Sequence, residues 1–349
     1  MQIFSRSVNS PRLRCAGRPS LWQATKRVKA VFFTFFMTIK DDFLFFNTNG
    51  LYCKYGDFYL DPKEPVQTAV ISHAHADHAI SGNSNVYCTE ATAAFMQLRY
   101  GKNAAKVFNI TAYNNAFIVG GVQITFISAG HMLGSAQVLM EYEGVRYLYT
   151  GDYKLQPDAT CEPIEWVKTD VLITESTFAD PEVLHPDPVE EIQKLNDIKI
   201  NILLGAYGLG KSQRLIQMIN EHAPQKKILV HHRIMPINAI YEKYGYSPGA
   251  YQMYSRRLMK NQDEYVYIVP PFTFDSYINA KGVKRLFASG WKNLQVNNND
   301  TLFISDHVDW NDILQAVEHT KPTQIWTLHG NGTHLKKHFG DDIFVKILN

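Results

Sequence analysis

From Phe43 onward, short apolar segments alternate with glycine-marked turns, which is the pattern of paired β-strands. The segments AFIVGGVQITFIS and AQVLMEYEGVRYLYTG each hold two apolar runs around a turn, at Gly120 and at Gly144. GLYCKYGDFYLDP predicts another hairpin that turns near Gly56, and TDVLITEST predicts a buried strand. TEATAAFMQLRY predicts a helix, which Gly101 ends. Together these elements predict a layered, sheet-rich α/β domain.

The pattern changes after about residue 178, where predicted strands and helices alternate. INILLGAYGLGKSQRLIQMI and KILVHHRIMPINAIYEKYG each join an apolar run to a helical period, as in a smaller α/β module. The final segment, TLFISDHVDWNDILQAVEHTKPTQIWTLHGNGTHLKKHF, predicts strand, helix, strand and helix. We therefore expect a core of residues 37–177 and 304–349, into which residues 178–303 are inserted as a cap.

Residues 1–36 differ from the rest because they are basic, polar and without clear periodicity. Either they form a targeting peptide, or translation begins at Met37. No small-residue cleavage site follows the apolar run AVFFTFF, which favours the second interpretation. This basic leader is expected to lie outside the fold.

The net charge is +2, but residues 1–40 hold eight Lys or Arg and no acid, so residues 41–349 carry −6. A polyanion would therefore have to be bound by a local groove, not by overall charge. The four cysteines include no C-x-x-C pair, which argues against a disulfide scaffold or a zinc ribbon and favours a reducing compartment. No apolar run approaches the roughly 20 residues of a spanning helix. The predicted location is the cytoplasm.

Histidines and aspartates directly follow several predicted strands. In SHAHADH, His73 and His75 lie two residues apart at a strand end, so their side chains point to the same side. Interleaved imidazoles and carboxylates suit zinc, which takes nitrogen and oxygen ligands. The alternative is a cluster of hydrogen-bonded core histidines. The candidate ligands are His73, His75, Asp77, His78, His131 and Asp152.

The order H-x-H-x-D-H, GHMLGS and TGD resembles the metallo-β-lactamase fold, an αββα sandwich that binds two metals at one edge. The resemblance implies one ligand set for each metal: His73, His75 and His131 for the first, and Asp77 and His78 for the second. It further implies that Asp152 bridges the metals and that a bridging hydroxide is the nucleophile. Paired metals lower the pKa of water and hold the oxygens of a displacement at phosphorus, so hydrolysis is predicted. Zinc is the favoured divalent metal, with manganese as the alternative.

Three further motifs resemble those of the β-CASP nucleases, which include the pre-mRNA cleavage endonuclease, ribonuclease J and bacterial exonucleases encoded beside DNA ligases. They are LITEST with Glu175, ISDHVDW with His307, and WTLHGNG with His329. The resemblance covers residues 43–349 and implies that His329 completes the second metal site. It also implies that His307 protonates the leaving oxygen while Glu175 fixes its tautomer. The candidate catalytic residues are Asp77, Asp152, Glu175 and His307.

Asp61, in the segment YLDP, resembles the first acidic motif of that family, which supports the metal-binding loop. The alternative is an ordinary turn aspartate next to a proline. The two interpretations differ in whether the carboxylate reaches a metal ligand.

The segment GAYGLGKSQRL, which begins at Gly205, fits the P-loop pattern between an apolar run and a helix. An ATPase also needs an acidic strand end to hold magnesium, but the next strand, KILVHH, ends in histidines. The segment also resembles a β-CASP turn of the type ALGRAQ, so ATP binding is not expected. Lys211 and Arg214 then become candidate phosphate contacts for nucleic acid, with a solvated helical turn as the alternative. Further candidates for contacts with a strand are Tyr207, Tyr254, Arg256, Lys260 and Trp291.

These observations predict a metal-dependent phosphodiesterase, an exonuclease that acts on single-stranded DNA and has a DNA ligase as a partner. Two alternatives stay open: an RNA-processing ribonuclease of the same branch, and a hydrolase of small esters or thioesters. A non-enzymatic scaffold is disfavoured because no ligand of the pattern is missing. The expected partner is nucleic acid, DNA before RNA, with neither ATP nor a membrane.

Overall fold

The computed structural model describes residues 38–296 and 298–348. The predicted leader, residues 1–36, lies outside the described residues. The described part contains three β-sheets, of six, seven and five strands. No helix in this part is long and apolar enough to cross a membrane. The cytoplasmic location stays a prediction.

The first sheet begins as an antiparallel meander and continues with parallel strands. Its strands lie in chain order: β1 (Leu44–Asn47), β2 (Gly50–Cys53), β3 (Phe58–Leu60), β4 (Thr68–Val70), β5 (Asn83–Cys88) and β6 (Ala105–Ile110). The hairpin predicted around Gly56 is the connection between β2 and β3. Helix α1 (Glu90–Tyr100) joins β5 to β6, begins with the side chain of Thr89 as its cap and ends at Gly101, where φ is 57°.

The second sheet has the order β18-β17-β11-β10-β9-β8-β7. Its strands are β7 (Ala116–Val119), β8 (Val122–Ser128), β9 (Ala136–Tyr142), β10 (Val145–Tyr149), β11 (Val171–Glu175), β17 (Gln324–Leu328) and β18 (Phe344–Ile347). Strands β7 to β10 form the two predicted hairpins, whereas β10, β11, β17 and β18 pair in parallel. Helices α7 (Trp310–Thr320) and α8 (Thr333–Phe339) lie between the last strands in the chain.

These two sheets pack face to face because alternate side chains of their strands point inward. Phe58 of the first sheet and Phe126 and Trp326 of the second are buried in the core between them. Each such side chain contributes about 1.5–3 kcal/mol on burial. Met96 of α1 covers the outer face of the first sheet, and Ile313 of α7 covers that of the second. The layers run helix, sheet, sheet, helix, which is the predicted αββα arrangement.

The third sheet is entirely parallel and has the order β14-β13-β15-β12-β16. Its strands are β12 (Asn201–Gly205), β13 (Lys227–Val230), β14 (Gln252–Met253), β15 (Tyr265–Val269) and β16 (Val283–Phe287). The helices around it are α2 (Pro188–Gln193), α3 (Lys211–His222), α4 (Met235–Lys243), α5 (Arg256–Asn261) and α6 (Pro271–Ser276). The apolar strands fit a sheet that is covered on both faces. We propose that residues 178–303 form the cap and that the flanking segments form the core.

Candidate metal centre and active site

The candidate residues meet at one edge of the sandwich because they follow neighbouring strands. β10, β11 and β17 are parallel neighbours, so Asp152, Glu175 and His329 come from the same ends of adjacent strands. His73 follows β4 of the first sheet, and His131 follows β8 of the second sheet. A cavity of about 570 Å³ opens at this edge between the core and the cap. Predicted site residues line this cavity: His75, Asp77, His78, His131, Asp152, His307 and His329.

Three imidazole nitrogens converge beside the carboxylate of Asp152. Nδ1 of His75 lies 3.1 Å from Nε2 of His73 and 3.1 Å from Nε2 of His131. Oδ2 of Asp152 lies 3.6 Å from Nε2 of His73 and 3.9 Å from Nε2 of His131. Ligands around a tetrahedral zinc are roughly 3.3 Å apart when each zinc–nitrogen bond is about 2.0–2.1 Å. The spacing therefore fits one metal ion held by these four side chains.

The outer nitrogens of two of these histidines donate to backbone carbonyls. Nδ1 of His131 donates to the carbonyl of Asp306 over 2.8 Å. Nε2 of His75 donates to the carbonyl of Leu209 over 3.1 Å. Because a carbonyl can only accept, each outer nitrogen carries the proton and each inner nitrogen offers a lone pair.

Asp61 holds His78 directly and His73 through Ser72, on the side of the rings away from Asp152. Its Oδ2 accepts from Nδ1 of His78 at 2.8 Å, from Oγ of Ser72 at 2.5 Å and from the hydroxyl of Tyr149 at 2.9 Å. Because the Ser72 hydroxyl donates to Asp61, it accepts from Nδ1 of His73, 3.0 Å away. The Asp61 backbone has φ of 43°, a left-handed conformation that places the carboxylate beneath the loop. Asp61 thus contacts a candidate ligand directly and another through Ser72.

The donor set fits divalent metal ions. His73, His75 and His131 direct an unprotonated nitrogen toward Asp152, and such a set of lone pairs can bind a cation. Burial and the neighbouring imidazoles hold the pKa of His73 and of His131 well below the usual value, which keeps both rings neutral and able to ligate. Burial raises the pKa of Asp152, but His78 and His307 more than offset this and hold it well below its usual range.

The residues predicted for the second metal line the same cavity wall in a looser arrangement. Nε2 of His78 lies 3.3 Å from Oδ2 of Asp152 and 3.9 Å from Oδ2 of Asp77. The rings of His78 and His329 have centroids 5.6 Å apart. The side chain of Asp77 is 81% exposed, whereas that of His78 is 5% exposed. These four side chains could hold a second ion beside the first.

A carboxylate–imidazole pair stands next to the candidate metal ligands. Nδ1 of His307 lies 3.0 and 3.2 Å from the two carboxylate oxygens of Glu175. The backbone N–H of Tyr153 and the hydroxyl of Thr177 also donate to Glu175, which is fully buried. Burial lowers the pKa of His307, but Glu175 and Asp152 raise it to about 9. Near neutral pH the ring is therefore the doubly protonated imidazolium. Because Nδ1–H is used by Glu175, Nε2–H is left for the cavity that the ring lines.

Arg214 and Lys211, predicted as phosphate contacts, are instead buried in an ion-pair cluster. Nη1 of Arg214 lies 2.9 Å from Oδ1 of Asp306, and Nη2 donates to Gln156 over 2.8 Å. Nζ of Lys211 lies 3.2 Å from Oδ2 of Asp306 and donates to the carbonyl of Ile304 over 2.6 Å. Only 1% of Arg214 and 4% of Lys211 is exposed. The prediction that Arg214 contacts a phosphate is corrected, because internal partners already use its guanidinium. The ammonium of Lys211 is also neutralised by Asp306.

The P-loop-like segment supports a metal ligand. Leu209 supplies the carbonyl that accepts from His75, and Gly210 follows it with φ of 80°. A Cβ atom at Gly210 would lie 3.3 Å from Cβ of Met132 and 3.5 Å from Nε2 of His75. Glycine suits this turn because φ is positive, and a Cβ here would crowd Met132 while making only ordinary contact with His75. The expectation that ATP does not bind stays a prediction.

Two residues of the site escaped the sequence analysis. Asp306 positions His131 through its carbonyl and neutralises Lys211 and Arg214 through its carboxylate. Its place directly before His307 in the SDH triplet was the available signal. Leu209 acts through a main-chain carbonyl, which no side-chain pattern reveals.

A family model described as the β-lactamase superfamily domain matches residues 57–232. The chain belongs to this superfamily. The predicted metallo-β-lactamase family and fold are thereby confirmed. A crystal structure of a protein of unknown function from Enterococcus faecalis V583 is similar in fold, with a TM-score of 0.51 and 13% identity over 82% of this chain and 79% of that one.

Curated relatives carry names from nucleic-acid metabolism. The chain is 29% identical over 306 residues to a probable DNA ligase of Opitutus terrae, covering 82% of this chain and 29% of that protein. It is 27% identical over 191 residues to an RNase J-like protein of Methanocaldococcus jannaschii, covering 47% and 45%. It is 26% identical over 260 residues to cleavage and polyadenylation specificity factor subunit 3 of Dictyostelium discoideum, covering 63% and 33%. The chain thus spans less than half the length of these relatives. The name of the RNase J-like protein is that of a nuclease, which agrees with the predicted enzyme class.

Proposed function

We propose that this protein is a metal-dependent phosphodiesterase that removes nucleotides from an end of single-stranded DNA. The observation that carries the proposal is that His307, held by the buried Glu175, lines the same cavity as the histidine and aspartate cluster. A cluster of metal ligands alone would suit many hydrolases. A protonated imidazole beside it, held by a buried carboxylate, suits a substrate whose leaving group is a poor one, such as a sugar alkoxide.

In this proposal, His73, His75, His131 and Asp152 hold one divalent metal, and Asp77, His78, Asp152 and His329 hold the other. Bound metals would supply Lewis acidity and an activated water at neutral pH. Zinc is the favoured ion because nitrogen ligands outnumber oxygen ligands at the tighter site, with manganese as the alternative.

The chain's own residues handle the leaving group. Nδ1–H of His307 donates to Glu175, which fixes the tautomer and leaves Nε2 as the atom that gives a proton to the departing oxygen. Glu175 itself stays in place because Tyr153 and Thr177 donate to it. Proton transfer by a positioned side chain typically contributes about 10²–10⁴-fold in rate.

DNA is favoured as the substrate because the similarity to the probable DNA ligase of Opitutus terrae extends over most of this chain. A DNA ligase is accordingly the proposed partner. The names of the RNase J-like protein and of the cleavage and polyadenylation factor support the second candidate, an RNA-processing nuclease.

The test uses purified protein loaded with zinc or with manganese. It is incubated with single-stranded DNA and RNA of matched sequence, each labelled differently at its two ends, and products are resolved over time. We expect mononucleotides released from one end of the DNA. Preferential cutting of RNA would overturn the choice of DNA, and internal fragments would overturn the exonuclease mode.

A further assay distinguishes the hydrolase of small esters from the DNA and RNA nucleases. The same metal-loaded protein is offered a thioester and a chromogenic β-lactam. Hydrolysis of either one, with no cutting of DNA or RNA, would replace the phosphodiesterase proposal.

A further inference from the structure

The cavity contains a cation that no motif singled out. Arg99 lies in the last turn of α1, and its side chain lines the cavity together with His75 and Asp77. Nη1 of Arg99 donates to the carbonyl of Ala74 over 2.7 Å. Ala74 lies between His73 and His75 in the chain, so this hydrogen bond ties the guanidinium to the loop that carries two candidate metal ligands.

Arg99 differs from the other cation of the cavity in having no acidic partner. Lys211 also lines the cavity, but its ammonium is paired with Asp306. Among residues 38–296 and 298–348, no carboxylate lies within 4.0 Å of the Arg99 guanidinium. A guanidinium has five N–H donors, and the carbonyl of Ala74 accepts from only one nitrogen. The guanidinium carbon also lies 5.5 Å from the ring centroid of Tyr100, a contact that does not use up an N–H donor. The other nitrogens of Arg99 are therefore available to an anion in the cavity.

The surroundings of Arg99 indicate which kind of anion fits. Tyr207 and Trp291 line the same cavity and are 52% and 46% exposed. Exposed aromatic rings and a cation that line one cavity are the two components that bind single-stranded nucleic acid, since bases stack on the rings and phosphates pair with the cation. Arginine presents a planar fork that matches phosphate oxygens in a bidentate contact.

We propose that Arg99 binds a phosphate of the strand that enters the catalytic cavity. The inference rests on the proposed nuclease function and gives it the substrate contact that Lys211 and Arg214 do not provide. Held by the Ala74 carbonyl, Arg99 binds this phosphate at a fixed position relative to His73 and His75. It is thus a substrate-binding residue that sets where the strand lies against the metal centre.

The test compares Arg99→Met, which removes the charge and keeps the stem, with Arg99→Lys, which keeps the charge without the fork. Lys102→Met is the matched control, because Lys102 is exposed three residues further on and does not line the cavity. Binding of a fluorescent oligothymidylate to the metal-loaded proteins is followed by anisotropy across a salt series, in a His307→Ala background that keeps the strand intact.

For Arg99→Met we expect weaker binding and a salt slope reduced by about 0.7, the value for one phosphate contact on a single strand. Arg99→Lys should regain the slope but only part of the affinity, and Lys102→Met should match the parent. A series of strands is made in which one neutral methylphosphonate linkage replaces each phosphate in turn. At one position the replacement should weaken binding to the parent protein, and at that same position it should not change binding to Arg99→Met.

Unchanged affinity and slope in Arg99→Met would overturn the proposal. So would a loss of bound metal in that variant, because Arg99 would then act only by supporting the loop through Ala74. A parent protein that binds no strand would overturn it as well. If the parent binds the strand tightly but the wild-type enzyme does not cleave it, the proposed nuclease activity is refuted. The comparison of the Arg99 variants would still show whether Arg99 binds a phosphate.

Discussion

Nδ1 of His307 lies 3.0 Å from Oε2 of Glu175, although 132 residues of chain, including the whole cap, separate the two. β11 delivers Glu175 at its last residue, and the chain returns from the cap just before His307. The contact thus forms only when the chain that follows residues 178–303 packs against β11.

Replacing His307 by alanine should slow cleavage most where the leaving group is poor. On an oligonucleotide we expect a loss of about 10²–10⁴-fold in kcat, because a sugar alkoxide needs a proton to depart. On bis(p-nitrophenyl) phosphate the loss should be small, since nitrophenolate leaves without one. Steady-state kinetics on both substrates measure the difference. Equal losses on the two would remove His307 from the role of acid.

Removing a ligand of one metal should change the metal content in a site-specific way. His329→Ala is expected to lower bound metal from about two ions to about one per chain, whereas His73→Ala should empty the tighter site. Mass spectrometry of the metal after exhaustive dialysis gives the count. His222→Ala, a histidine at the end of α3 away from the cavity, is the control and should keep the full content. Full metal content in His73→Ala would contradict the assignment.

Asp306→Asn should strongly destabilise the fold. Asp306 and Asp158 are buried with three cations, Lys154, Lys211 and Arg214, so losing one carboxylate leaves a marked surplus of positive charge. Breaking such a cluster costs about 3–5 kcal/mol. Chemical unfolding of the apo-protein measures the free energy.

Lys211→Met is the matched variant in the same cluster. Burial lowers the pKa of Lys211 to about 8, although Asp306 acts to raise it, so burial disfavours the charged form of this lysine. Its removal relieves the surplus, and the loss should be clearly smaller than for Asp306→Asn. Equal losses would show that packing, and not charge balance, stabilises this region.

Asp312, in the first turn of α7, should make stability fall as pH rises from 3.8 to about 6. Burial and the neighbouring Asp309 raise the pKa of Asp312 from 3.8 to about 6. The folded state therefore binds more protons than the unfolded state between these values, and stability decreases as pH rises through this window. Asp312→Asn should be more stable than the parent above pH 6 and equal to it below pH 3.8, as measured by unfolding at several pH values. A constant difference across this range would contradict the prediction.

The sequence was sufficient to place the candidate metal ligands together with Asp61 behind them, but it did not indicate Asp306 or Leu209. His73, His75, His131 and Asp152 could be found because each follows an apolar run, and strand ends on one sheet edge meet in space. Arg214 was misplaced because charge in a sequence says nothing of burial, and the partner that neutralises it lies 92 residues away.

The residues that escaped prediction share a physical reason. Leu209 contributes a carbonyl, which every residue has, and Arg99 lies on a helix whose pattern indicates packing only. Their roles depend on how the cap and α1 approach the SHAHADH loop, which local patterns do not specify. The αββα layers, in contrast, follow from hairpins and helices that are encoded locally.

The hydrogen bond from His75 to the carbonyl of Leu209 couples the metal affinity of the site to the position of the 205–211 loop. A ligand that shifts the 205–211 loop also shifts the orientation of an imidazole in the metal centre, and loading the metal must bias that loop by the same free energy. A strand that binds against this loop and changes the metal affinity must itself bind with an affinity changed by the same factor when metal is present. Chelators should accordingly extract metal at a different rate while substrate occupies the cavity.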